Sequence, residues 1–396
     1  MQKKIKTKIN SAERLTREEG LWLLQNASLL DLAELAETVR YRLNPKRRVT
    51  FVIDSNPNYT NICNVDCIFC AFYRHEGDKD AYTYSVDQMI TRFKAAAKRG
   101  VRTVLLQGGV NPAIPFEYYT EMVRRTREEV PEIHPHFFST SEIIGMANVS
   151  SLSIPQVLSR LKEAGLNSIP GGGAEILSDK VKKKISNKKG TTADWLNVMR
   201  EAHKLGYKTT ATMMYGHLEK DEDIIEHLSV IRDLQDEYHG FTAYIPWSFK
   251  PGNTPLEKII PTYATGTRYL QMIAIARIFL DNFPHIQASW FSEGKKIGQI
   301  ALNFGADDFG GVLEEENVHA SANFVHTTSV KETVDLIRSA GYTPAERTTL
   351  YDIIAEYGEG EYPAAAIDTA RLDVHFGASE ILTSLPIIRS QTSEIV

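Results

Sequence analysis

The chain of 396 residues has only three cysteines, and all of them lie in one stretch, Asn61-Ile-Cys63-Asn-Val-Asp-Cys67-Ile-Phe69-Cys70. So few thiols, so closely spaced, exclude a disulfide framework and point to a reduced, cytoplasmic setting in which the thiols serve a metal. No apolar run approaches the roughly 18 residues of a membrane span. The basic amino terminus, "MQKKIKTKIN", leads into no apolar segment, so a secretory signal is not expected. Positive charge is also scarce: 45 Lys and Arg against 50 Asp and Glu leave a net charge of -5, with no long basic run, which excludes an obvious nucleic-acid binder. The short "KVKKK" at 180–184 reads as a solvated helix face. There is no low-complexity segment and no internal repeat.

What is present is a strand–helix rhythm in a chain that is 42% hydrophobic and 24% charged, ordinary for a globular protein with a sizeable core. Residues 11–43 carry apolar side chains at helical spacing, broken near Asn26-Ala-Ser28, and predict a pair of helices. Short strands are expected at 50–54, 102–106, 134–138, around "NSI" (167–169), at 208–214, 241–245 and 286–290, with "ADDFG" (306–310) as the eighth. Helices fall between them, at about 85–99, 115–129, 154–164, 192–205, 221–236 and 263–281, with a weaker one from about 294. Ser85 with Gln88 three residues on has capping-box spacing. This alternation implies βαβ units around a parallel sheet, and their number fits a complete or nearly complete (β/α)8 barrel, with a doubly wound open sheet as the alternative. The expected organisation is an N-terminal helical segment (1–48), a barrel (49–312) and a C-terminal helical region and tail (313–396), in which 333–354 looks helical and the rest shows mixed patterning.

The polar and glycine-rich segments fall just after strands, where a barrel places its active site. They include Cys63–Cys70, Gln107-Gly108-Gly109, Ser139–Glu142, Gly171–Glu175 and Tyr215–His217. The spacing Cys-x3-Cys-x2-Cys can bring three thiolates to one centre from a single loop. Structural zinc closes four ligands, and His75 stands near enough in sequence to be the fourth. A 4Fe–4S cluster ordinarily takes four cysteines, so three would leave one iron open for a small molecule.

The segment resembles the Cys-x3-Cys-x-aromatic-Cys signature of the radical S-adenosylmethionine superfamily, with Phe69 as the aromatic, and it follows the first expected barrel strand as in that family. The resemblance implies a 4Fe–4S cluster on Cys63, Cys67 and Cys70, whose open iron binds S-adenosylmethionine. It also implies an external one-electron donor such as flavodoxin or ferredoxin, and cleavage to a 5′-deoxyadenosyl radical. Phe69, Gln107, Gly108, Gly109, Ser141, Glu142 and Glu175 are the implied contacts to S-adenosylmethionine, with Ser139 a weaker one; Val110 stands where the family usually has an acidic residue. Glu142 and Glu175 can equally be helix N-terminal carboxylates.

Further strings extend the resemblance over about 45–355: "NYTNICNVDCIFCAFYR", "GGGAEIL", "ATMMYGH" and "GFTAYIPWSFKPGNTPL". They are similar to the radical enzymes of the futalosine route to menaquinone and to their deazaflavin-forming relatives. Within that group, "CAFYR" and "PWSFKPGNTPL" look most like the cyclic dehypoxanthinyl futalosine synthases. That resemblance implies a small-molecule substrate, dehypoxanthine futalosine. Hydrogen abstraction from the ribose 4′ carbon, attack on the carboxyphenyl ring, and loss of an electron and a proton would give the spiro product. Aminofutalosine synthase is the runner-up. A non-catalytic iron–sulfur or zinc scaffold or electron carrier is the alternative of another class. For the proton, His217 is the candidate base. Arg74 and Lys250 are candidates for the substrate carboxylate, Tyr244 and Trp247 for walls of the site, and Glu293 is a polar residue with no assigned role.

Overall fold

A computed structural model describes residues 1–365. The first barrel strand is one extended segment interrupted at Ile53, giving β1 (Arg48–Val52) and β2 (Asp54–Ser55). From β2 the parallel sheet runs through β3 (Thr103–Leu106), β4 (His134–Phe137), β5 (Ser168–Ile169), β6 (Lys208–Tyr215), β7 (Phe241–Ser248) and β8 (His285–Ile286). On its other side β1 pairs in parallel with β9 (Asp308–Gly311), and a parallel bridge from Gln287 to Asp308 joins β8 to β9. With β1 and β2 taken as one strand, the ring closes with eight, so the expected barrel is present.

The closure has a split. The lower half of the first strand, Arg48–Phe51, pairs with β10 (Thr343–Arg347), while only its upper half, Asp54–Ser55, pairs with β3. β10 is therefore wedged between the first and second barrel strands, and β11 (Ile353–Glu356) folds back antiparallel on it. The reading of 333–354 as helical is corrected here: the helix covers Val330–Ser339, and Gly341, with φ +85°, turns the chain into a strand. Residues 366–396 of the expected C-terminal tail lie outside the described residues.

Other expectations shift in detail. Three helices, not two, precede the barrel: Gln2–Asn10, Arg17–Asn26 and Leu29–Leu43. The first was read only as a basic terminus, although Ile5 and Ile9 form its buried face. The Leu29–Leu43 helix packs on Gly266–Phe279, and its buried Arg40 donates to Ala306 O at 3.1 Å and Arg48 O at 3.2 Å, tying it to the barrel floor. The strand expected at 286–290 is only His285–Ile286, because Trp290 already begins a short helix. A further helix, Thr140–Ser150, follows β4, and Ser139 and Glu142 form its capping box, which gives Glu142 the helix N-terminal place open to it in the sequence. The Ser85–Gln88 capping box is formed as expected. Among the described residues, no helix is long and apolar enough to cross a membrane.

The floor of the barrel is charged. Arg347, fully buried at the end of β10, grips Asp308 with Nε–Oδ2 at 2.5 Å and Nη2–Oδ1 at 2.9 Å, and Thr50 donates to the same carboxylate at 2.5 Å. The Arg347 guanidinium lies 3.9 Å over the Tyr351 ring, which stacks on His285 at 4.0 Å. Burial opposes the charge of Asp307, but Arg277 and His285 beside it hold its carboxyl down at about 2. Removing one partner of a buried pair strands the other charge in low dielectric. Arg347→Met is expected to cost roughly 3–5 kcal/mol, and Arg347→Met with Asp308→Asn to recover part of it. Urea unfolding of the two variants checks this; equal losses in both would mean that the pair is not what closes the floor.

Candidate active site

At the carboxyl end of the barrel the cysteine loop rests directly on the glycine loop after β3. A Cβ built on Gly109 would lie 2.1 Å from Ile62 O and 3.0 Å from Cys63 Cβ, so only glycine fits at this approach. Gly109 N–H donates to Thr60 O at 2.9 Å, and Cys63 N–H donates to Arg74 O at 3.0 Å. Cys67 is buried, while Cys63 and Cys70 are half-buried. Burial pushes the Cys67 thiol up to about 12, and the neighbouring cysteines add to the shift. Burial also raises Cys70, although the backbone N–H groups of Phe72 and Tyr73 are aimed at its sulfur. Three mutually close thiols of this kind ionise only beside cationic charge, which suits an iron–sulfur cluster held by three thiolates.

The zinc alternative fares worse. The His75 side chain is 61% exposed and faces Asp66 at 3.7 Å. Among the described residues no three Cys, His, Asp or Glu side chains gather tightly enough to grip a single ion. A cluster, with a separate iron for each thiolate, needs its sulfurs spread apart.

The loops after β3, β4 and β5 interlock beside the cysteines. Gln107 accepts from Asn58 at its carbonyl, and its amide lies against Gly172. Gly173, at φ +90°, presses on the hydroxyls of Thr140 and Ser141. Glu175, itself in a left-handed conformation at φ +42°, is buried and accepts from Lys189 Nζ at 2.6 Å, with Lys182 Nζ at 4.0 Å. Its other oxygen, Oε2, the one 4.0 Å from Lys182 Nζ, is buried and accepts no hydrogen bond, which leaves an acceptor open to a bound amine or ribose. Lys189 also lies 5.3 Å over the Phe69 ring and is held charged, against burial, by Glu175 and the neighbouring Cys67. Phe69, Gln107, Gly108, Gly109, Ser141 and Glu175 thus form one rim with the cysteines, fit to hold S-adenosylmethionine.

Glu142 is corrected. Its Oε1 accepts from Tyr59 OH at 2.7 Å and Gly108 N at 3.0 Å, and its Oε2 from Ser139 N at 2.7 Å and Ser139 Oγ at 2.6 Å. Burial pushes this carboxyl up to about 7, against those four bonds. With both oxygens committed, Glu142 braces the glycine loop and has no acceptor left for a ligand.

Arg74 is corrected as well. Its Nη1 donates to the carbonyls of Ala71, Phe72 and Tyr73, and its Nε to Asp80 at 2.8 Å, so it caps the cysteine loop from outside. His217 is fully buried; its Nε2 donates to Met214 O at 3.0 Å and its Nδ1 lies 3.2 Å from Glu219. With Nε2 bound to Met214 O and Nδ1 left without a hydrogen bond beside Glu219, His217 sits in the turn after β6. Tyr244 sits mid-strand, against His227 at 6.1 Å and Phe283 at 6.4 Å in the packing behind the sheet, and does not wall the site.

Lys250 and Trp247 do stand at the mouth, on the wall opposite the glycine loops. Lys250 is buried; its Nζ donates to Ser248 Oγ at 2.5 Å and lies 3.7 Å from Glu293 Oε1. Glu293 accepts from Ser248 N at 3.0 Å. Residues 313–329 roof this wall: Phe324 lies 4.2 Å under the ammonium, Tyr263 packs tilted on Phe324 at 5.6 Å, and His319 sits 5.5 Å from Trp247 and 5.2 Å from Phe291. Sequence reasoning missed Tyr59, Lys182, Lys189, His319 and Phe324. Lys182 belongs to "KVKKK", read as solvated, yet its Nζ is buried and donates to Gly173 O at 3.2 Å; nothing in the local pattern separates it from its exposed neighbours.

Two variants test this geometry. Gly109→Ala should push the cysteine loop outward and lower the iron bound after anaerobic reconstitution, whereas His75→Ala should leave iron content and cluster spectrum unchanged. Loss of metal in His75→Ala would revive the zinc alternative.

Comparison with known proteins agrees with this geometry. Residues 57–231 match the radical SAM superfamily, and residues 238–358 match the CofH/MqnC C-terminal region. A cyclic dehypoxanthine futalosine synthase of Halalkalibacterium halodurans is 40% identical over 351 residues, covering 89% of this chain and 94% of the relative. A 5-amino-6-(D-ribitylamino)uracil–L-tyrosine 4-hydroxyphenyl transferase of Methanocaldococcus jannaschii is also 40% identical, covering 86% of this chain and 98% of the relative. The crystal structure of methylornithine synthase superposes with a TM-score of 0.67 at 20% identity, covering 86% of this chain and 97% of that one, and shares the fold. A closed barrel, a three-cysteine loop seated on its glycine loop and a matching carboxyl-terminal region lead to one conclusion: the chain belongs to the radical SAM superfamily, whose members use a 4Fe–4S cluster and S-adenosylmethionine.

Proposed function

We propose that the chain is the radical cyclase of menaquinone biosynthesis that closes the ribose of dehypoxanthine futalosine onto its carboxyphenyl ring, working in the cytoplasm where its three cysteines stay reduced. The observation that carries this reading is Lys250. A buried ammonium has three donors, and here one goes to Ser248. Two rings lie against it, Phe324 at 4.2 Å and Tyr263 at 5.8 Å, and Trp247 joins the same wall through His319, which also packs on Phe324. A buried cation among aromatic walls favours a flat ring that carries an anionic group. The identity to relatives of different named activity is equal at 40%, so the choice among them rests on this wall and on the strings "CAFYR" and "PWSFKPGNTPL".

When bound, the cluster and S-adenosylmethionine supply a 5′-deoxyadenosyl radical able to take hydrogen from an unactivated carbon. The chain's own residues do the rest. Cys63, Cys67 and Cys70 hold the cluster, and Glu175 with the interlocked glycine loops orients S-adenosylmethionine. Lys250 anchors the substrate carboxylate, and Trp247 and Phe324 hold the ring so that the ribose faces the glycine-loop side. The roof over 313–329 keeps water from the radical.

Incubating reconstituted protein anaerobically with S-adenosylmethionine, reductant and dehypoxanthine futalosine should give the cyclic product by mass spectrometry. Aminodeoxyfutalosine formed from the enolpyruvyl substrate, or a tyrosine-derived aryl transfer product, would overturn the reading.

Lys250 makes a second prediction. Burial pushes it down to about 8, with Glu293 opposing. KM should therefore rise as pH climbs through about 8 and the ammonium loses its proton, while below that pH it stays flat. Lys250→Met should raise KM about ten-fold or more, as loss of a charge-assisted bond predicts, and abolish that pH dependence. Lys250→Arg should shift the rise to higher pH. An unchanged KM in Lys250→Met would remove the carboxylate anchor.

A further inference from the structure

The outer side of the cysteine loop is bordered by a surface unlike the rest of the chain. Residues 179–189 hold six lysines against one acid, Asp179, in a chain of net charge -5. Lys182 and Lys189 turn inward to Glu175, whereas Lys180, Lys183, Lys184 and Lys188 are exposed. Lys188 pairs with Asp66 of the cysteine loop itself, and Lys183 and Lys184 make no ion pair among the described residues.

The backbone ties this segment to the loop. Ile68 N–H, between Cys67 and Cys70, donates to Ile185 O at 3.0 Å, and on its other side Ile68 O accepts from Leu256 N at 2.8 Å. The turn at Pro255–Lys258 brings an exposed Lys258, and Ile259 beside it is 60% exposed. A basic rim and an exposed isoleucine thus flank the half-buried stretch of the loop at Ile68, between two of its cysteines. On these segments Lys180, Lys183, Lys184, Lys188 and Lys258 outnumber the acids Asp66, Asp179 and Glu257, and Asp66 is already paired with Lys188.

We propose that this face, formed by Lys183, Lys184, Lys188, Lys258 and Ile259, docks an acidic one-electron carrier protein that reduces the cluster on Cys63, Cys67 and Cys70. One electron leaves the carrier's reduced flavin or iron–sulfur centre and enters the oxidised cluster; no atom or proton crosses. The lysines steer an acidic partner over roughly the Debye length, about 8 Å at physiological salt. Ile259 offers the desolvated contact that holds the complex. The inference rests on membership in the superfamily and not on which substrate the barrel takes.

The test uses the full cluster-loaded chain and an acidic flavodoxin. Binding of flavodoxin by biolayer interferometry and the rate of cluster reduction by stopped-flow absorbance are compared in wild type and in Lys183→Glu/Lys184→Glu. The double variant should associate about ten-fold more slowly and lose most of its salt dependence, and flavodoxin-driven reduction should slow in parallel. Reduction by dithionite, which needs no docking, should be unchanged. Ile259→Asp should raise the dissociation rate with little effect on the salt slope. Unaltered binding and reduction in the double variant would overturn the proposal. So would an equal slowing with dithionite, because the lysines would then act on the cluster and not on the partner.

Discussion

The site depends on one close contact, that of Gly109 against the backbone at Ile62 and the Cβ of Cys63. It fixes the height of the cysteine loop over the barrel mouth, and the rest of that wall keeps the glycine loop from yielding. Glu142 draws Gly108 N–H, Tyr59 and Ser139 onto one carboxylate. Arg74 ties the far end of the cysteine loop to its own carbonyls. Residues that look like ligand contacts in the sequence turn out to hold the contacts in place, which is how precise geometry is kept on loops.

The two ends of the barrel solve different problems. The floor must stay shut although the first strand parts from β3, and β10 takes up the freed edge of β1, with Arg347 reaching across β1 to Asp308 on β9. The carboxyl-terminal chain is thus part of the barrel's closure and also, through residues 313–329, the roof of its mouth. One stretch of chain therefore serves both ends of the barrel.

The regular part of this was legible in the sequence. Strand–helix alternation and the positions of glycines after strands gave the barrel and the loops at its mouth, because period and turn chemistry are local properties. The three cysteines announced themselves by spacing. What escaped was decided by distant contacts. "TPAER" becomes a strand only because β1 leaves an unpaired edge, and the second half of "IQASW" is lost to a short helix. Glu142, Arg74 and Tyr244 have the right residue types near the right strand ends, but only their hydrogen bonds and packing show how they are tied to the scaffold. Lys182 and Lys189 look like a surface run and are buried because Glu175 lies beneath them.

That buried pair of ammoniums completes the charge balance of the cluster wall. Three thiolates and Glu175 would place four negative charges in a region of low dielectric, and Lys182 and Lys189 are the buried cations that face them. The iron of a cluster supplies the remainder, so this wall serves any substrate the superfamily handles. Among the described residues, the opposite wall carries one buried cation, Lys250, beside Phe324 and Tyr263, and the carboxylate nearest it, Glu293, is 3.7 Å away and already accepts from Ser248. On the proposed reading, chemistry common to the superfamily and selectivity for one substrate are built on opposite sides of one barrel mouth. Relatives of equal identity can share the first wall while differing at the second.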